Sequence, residues 1–186
     1  MNILTDRLPV SVEVGGVEVP IHTDFRVALS IIRAFEDPEL TWFEKQSVML
    51  RQLYETLPED IPAALEAAVR FLNGWKEPDL EPDDGPRTYS FEKDAPYIYS
   101  AVYQTHGIDL ETVEYMHWWK FCCLFFDLSE DCFFSRICYL RQKRNKGKLT
   151  KEEKAYCRSI RYILELPDIT QPSEEESEFM RLLNGG

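Results

Sequence analysis

The sequence predicts a mainly α-helical fold, a bundle-like domain of about six helices preceded by one N-terminal β-hairpin. Three observations predict it. Apolar residues recur at three- and four-residue spacing through most of the chain, several of these stretches open on a recognisable cap, and strict alternation is confined to Val10–Ile21. With 186 residues, 44% of them apolar and 13% aromatic, the chain can bury a real core and is not compositionally unfolded.

The elements follow in order. Val10-Ser-Val-Glu-Val-Gly-Gly-Val-Glu-Val-Pro-Ile21 alternates on both sides of Gly15-Gly16, a pair able to supply the positive φ angles of a tight turn. Thr23 or Asp24 then caps a helix with Phe25, Ala28, Leu29, Ile32 and Phe35 on its apolar face, ended by Pro38. Thr41 and Glu44 form a capping box ahead of Phe43, Leu50, Leu53, Tyr54 and Leu57. Asp60 caps a third helix, with Pro62 in its first turn and Ile61, Ala64, Leu65, Ala68, Leu72 and Trp75 on one face. Residues 77–87 hold three prolines and five acids, the composition of a solvated loop.

Beyond that loop, Asp94 starts a helix bearing Tyr97, Ile98, Ala101, Val102 and Thr105 and closed by a left-handed Gly107. Asp109 is expected to cap a long helix from about Leu110 to Phe126, apolar nearly all round. Ser129 opens another with Phe133, Phe134, Ile137 and Cys138. Thr150 and Glu153 make a second capping box before Tyr156, Ile160, Ile163 and Leu164, and Pro167 ends that helix. The organisation expected is one helical domain over residues 1–168, with a hairpin at 10–21 and an acidic, Pro-rich loop at 77–87, and then an acidic, flexible tail over 169–186.

Charge and motifs narrow the function classes. The net charge is −12, so wrapping nucleic acid non-specifically is not expected. The N-terminus has no signal-peptide pattern and no apolar run is long enough to span a bilayer, which predicts a cytoplasmic protein without membrane contact. Five cysteines in no metal or redox spacing read as reduced, buried thiols, and His22, His106 and His117 have no second ligand at helical spacing. A phosphate loop, a nucleophile elbow and a zinc-protease signature are all absent from the sequence, so neither catalytic residue, cofactor nor metal is expected.

Charge is also uneven. Arg136 to Arg161 hold ten basic residues and two acids, a net of +8, which leaves −20 for the rest of the chain. A solvated helix pair is the favoured reading of that patch, with an acidic partner protein second and nucleic acid third. Core packing is favoured for Trp118-Trp119. Successive helical side chains diverge by about 100°, which leaves a partner-facing role open for one of the two.

At these same residues the chain resembles a known family. Pro20-Ile-x-Thr-Asp-Phe-Arg26, Asp94-Ala-x-Tyr-Ile98, Gly107-Ile-Asp-Leu110 leading to His117-Trp-Trp-Lys-Phe121, and Phe134-x-x-Ile137 with Arg141 beyond, occur in an order similar to that of the bacteriophage gene-product-fifteen family of long non-contractile-tailed phages and prophages of Gram-positive bacteria. The resemblance implies a tail-morphogenesis protein in the cytoplasm of the bacterial host. Its implied role is a tail assembly chaperone that keeps the tape-measure protein soluble, with the major tail-tube protein a possible second partner. The alternatives are a structural tail or connector component and an acidic helical regulator of a host protein. Asp24, Phe25, Arg26, Tyr97, Trp118, Trp119, Lys120, Phe121 and Arg141 become the candidate partner-binding or family-motif residues, and no catalytic residue is carried over.

Overall fold

A computed structural model of the chain describes residues 2–74 and 85–167. The described residues are mainly helical, with eight helices and one two-stranded antiparallel sheet. They fall into two compact units, one holding 2–74 and 115–123, the other 85–114 and 124–167.

In the first unit, β1 (Ser11–Val14) pairs with β2 (Val17–Pro20) in a register that sets Val12 opposite Val19 and Val14 opposite Val17. Gly15 and Gly16 both have positive φ, 57° and 83°, so the two-residue turn adopts the twist that a hairpin requires. A bridge between Ile21 and Tyr54 ties the hairpin's exit to the end of α2.

Three capped helices complete the unit's frame. The Asp24 carboxylate accepts the Arg26 N–H at 2.9 Å and starts α1 (Phe25–Glu36). The Thr41–Glu44 capping box opens α2 (Trp42–Leu53), and Asp60 caps α3 (Ile61–Asn73) through the Ala63 N–H. Helix α1 packs on α2, α2 on α3, and α3 on β1. Their shared core includes Phe25, Ile31, Phe35, Met49, Leu53 and Leu72.

The second unit contains α4 (Ala95–His106), α6 (Phe133–Asn145), α7 (Lys151–Ser159) and the one-turn α8 (Arg161–Leu164). Ile137, Leu140, Cys157 and Leu164 form a buried cluster, against which Tyr97, Tyr156 and Ile163 pack. Gly107 ends α4 with φ 67°, and Thr150 and Glu153 form the box that starts α7. Helix α5 (Trp118–Phe126) contributes its residues to Cys123 to the first unit and the remainder to the second.

Several expected elements are corrected. The helix from Leu110 to Phe126 begins only at Trp118. Asp109 caps a single turn, accepting the Glu111 N–H, because Met116 and Trp118 spend their backbone groups on the Thr23–Phe25 segment instead of on a helix ladder. Ser129 gives way to Cys132 as the cap of α6, whose thiol accepts the Ser135 N–H at 3.4 Å. The helix expected from Thr150 to Leu164 breaks at Ile160, which leaves the helical region at φ −112° and ψ 24°.

In α1 the buried position is Ile31 rather than Ile32. In α2, Phe43 and Leu57 are exposed, since Met49, Leu50 and Leu53 face the core and the helix stops before Leu57. Cys123 is exposed, against the expectation of buried thiols, while Cys122, Cys132 and Cys157 are buried. Cys138 is half-buried, and burial pushes its thiol up to about 12. Trp75, positions 77–84 of the acidic loop and the tail over 169–186 lie outside the described residues.

Candidate functional site

Seven of the nine candidate residues lie in the first unit, and six of them, all but Lys120, gather around one backbone junction. Asp24 and His117 form an isolated antiparallel bridge, in which the Phe25 N–H donates to the Met116 carbonyl at 2.9 Å and the Trp118 N–H to the Thr23 carbonyl at 2.7 Å. The Asp24 carboxylate serves both sides of this junction. Oδ1 caps α1, while Oδ2 accepts the Met116 N–H at 3.2 Å and the Arg26 guanidinium at 3.2 Å. That guanidinium also lies over the Phe25 ring, 4.6 Å from its centroid.

Phe25 stacks on Phe121 at 4.8 Å, and Phe121 on Trp118 at 5.8 Å, both within 20° of parallel. The two indoles are then used as donors. Trp118 Nε1–H donates to the Leu72 carbonyl at 2.8 Å and Trp119 Nε1–H to the Phe71 carbonyl at 2.7 Å. These carbonyls belong to the last turn of α3, where a helix runs short of its own donors. Both Trp side chains are buried, so neither faces a groove, and only Lys120 of the His117–Phe121 run points to solvent.

His117 orients this turn. Its Nδ1 accepts the Trp119 N–H at 3.1 Å, which leaves Nε2–H to donate to the Pro9 carbonyl at 2.9 Å. Burial holds its pKa below the ordinary imidazole value, in keeping with that neutral tautomer. Gly74 fits against the same indole. A Cβ there would sit 2.5 Å from Trp119 Cζ2.

The remaining two candidates, Tyr97 and Arg141, lie in the second unit. Arg141 is buried, and its guanidinium donates from all three nitrogens: twice to the Asp94 carboxylate at 2.5 and 2.9 Å, and to the carbonyls of Thr88, Ile163 and Leu164. Asp94 holds the N-cap position of α4 without capping it. Its side chain goes to Arg141 and to the Ser90 N–H instead. Tyr97 is half-buried and meets Phe133 edge to face at 5.3 Å.

A family model described as Bacteriophage Gp15 protein matches residues 4–166. The chain belongs to the bacteriophage Gp15 family. No curated protein and no solved structure matches it. Membership places this Gp15 chain among phage structural or morphogenesis proteins.

The matched range takes in the hairpin, every described helix, the Asp24–His117 junction and the Asp94–Arg141 pair. In the Gp15 chain the buried motif residues Phe25, Trp118, Trp119, Phe121 and Arg141 do architectural work: their rings stack, the two indole N–H groups donate to α3 carbonyls, and the guanidinium holds Asp94. Among the described residues, no group of three or more His, Cys, Asp or Glu side chains is gathered to hold a metal, and no helix is long and apolar enough to cross a membrane.

Reasoning from sequence missed Asp94, Gly74, Phe71 and Leu72 as partners of the motif residues. Asp94 looked like an ordinary cap, since it stands one residue before a helix with Pro96 in its first turn. The α3 carbonyls carried no sequence signal at all, because any residue type supplies a backbone acceptor.

Proposed function

We propose that the protein is a tail assembly chaperone, which binds the tape-measure protein and keeps it soluble while the tail tube forms, without catalysing a reaction. The observation that supports this reading, beside the family, is a set of large apolar side chains left in solvent on helix surfaces. Phe43 is 77% exposed, Tyr103 58% and Phe126 56%. A long apolar helical client needs many weak apolar contacts that tube subunits can later displace, and such side chains can supply them. Trp118, Trp119 and Phe121 are buried and belong to the scaffold, so the client-binding contacts are assigned to exposed positions.

Co-expression tests the proposal. The tape-measure protein should move to the soluble fraction and co-purify with this chain, and the complex should survive raised salt because its contacts are apolar. A tape measure that stays insoluble, together with stoichiometric copies of this chain in finished virions, would replace the chaperone with a structural tail component.

A further inference from the structure

The cations between Arg136 and Arg161 have different fates. Arg141 is buried on Asp94, Lys143 holds both Glu153 carboxylate oxygens at 2.7 Å, and Arg161 pairs with Glu165 at 2.5 Å. Arg144 donates to the Leu164 carbonyl, and Arg136 lies over the Tyr156 ring. Lys146, Lys148, Lys151, Lys154 and Arg158 are exposed.

Three of these form a pattern. Lys151, Lys154 and Arg158 follow one another at three and four residues on α7, so they share one face over about 10 Å of axis. The acids of α7 are directed elsewhere. Glu153 is engaged by Thr150 and Lys143, and Glu152 lies about 100° round the helix from Lys151. Lys151 opens the helix, at the positive end of its dipole, where a cation opposes helix stability rather than adding to it.

We propose that this face of α7 docks a short acidic segment of a partner protein, one presenting three or four carboxylates over about 10 Å. The charge of the whole chain selects this occupant over nucleic acid. A net charge of −12 disfavours a long polyanion such as nucleic acid, whereas a short segment meets mainly the charges within a Debye length of about 8 Å of the stripe. The proposal goes beyond the chaperone reading and does not depend on it.

Fluorescence anisotropy of labelled hexaglutamate with the full chain tests it. Binding is expected at about 50 mM salt and should weaken about tenfold at about 300 mM. Lys151→Gln/Lys154→Gln/Arg158→Gln should lose binding by at least about tenfold with the helical circular dichroism unchanged. Arg7→Gln/Lys45→Gln/Arg51→Gln removes the same charge from the first unit and should retain binding. Failure of hexaglutamate to bind at low salt, or equal loss in both triple variants, would overturn the proposal. Tighter binding of an oligothymidylate than of hexaglutamate would also overturn it, in favour of nucleic acid.

Discussion

Asp94 and Arg141, forty-seven residues apart, form a buried bidentate ion pair that joins the start of α4 to the middle of α6. Three backbone carbonyls take the rest of the guanidinium's donors, and the Ser90 N–H binds the carboxylate. This full satisfaction is what allows two charges to be held out of water, since the desolvation cost is large for any charge left alone.

Removing one partner should therefore be severe. Asp94→Ala should cost about 3–5 kcal/mol by urea denaturation, and Arg141→Met a similar amount. The double variant should cost clearly less than the sum of the two, because neither charge then remains buried without the other. Additive losses would show that the pair is not coupled.

Asp24 has two separable duties, the cap of α1 and the Met116 N–H. Asp24→Ala should cost roughly 1 kcal/mol for the cap and a further 1–2 kcal/mol for the stranded amide. Asp24→Asn keeps an oxygen for the cap but turns a donor toward Met116, so its denaturation midpoint should fall between those of the alanine variant and the wild type. An asparagine variant as stable as wild type would remove the bridging role.

Gly74 has φ −66°, a conformation in which alanine is ordinarily at ease and stabilises by about 0.4–1 kcal/mol. Here the added Cβ meets Trp119 Cζ2 at 2.5 Å and the Arg70 carbonyl at 2.9 Å, so Gly74→Ala should instead cost about 1–3 kcal/mol. A rise in melting temperature would contradict the packing of Trp119.

His117 predicts a pH dependence. Its folded pKa lies below the ordinary 6.5, so the unfolded chain takes up the proton first as pH falls. The stability held by the neutral ring is complete above about pH 6.5 and is lost as pH falls through the folded pKa. Protonation would also set a donor at Nδ1 against the Trp119 N–H. An NMR titration should place this imidazole below 6.5, and His117→Gln should be less stable at neutral pH while losing that component of the acid dependence. A ring titrating above 6.5 would refute the account.

What the sequence determined by itself was local. The Gly15-Gly16 turn, the Asp24 and Asp60 caps, both capping boxes and the left-handed Gly107 rest on interactions within a few residues, and each formed as read. Tertiary structure decided everything whose partner is distant in the chain. Residues 110–117 had helical spacing and a cap, yet a bridge to Asp24, more than ninety positions away, took the backbone groups that a helix would have used. Asp94 could cap α4, but a buried guanidinium competes for its carboxylate more strongly than a backbone amide does. Trp118 and Trp119 diverge on α5 and are nonetheless both buried, because the end of α3 offers two adjacent carbonyls that accept the two indole N–H groups.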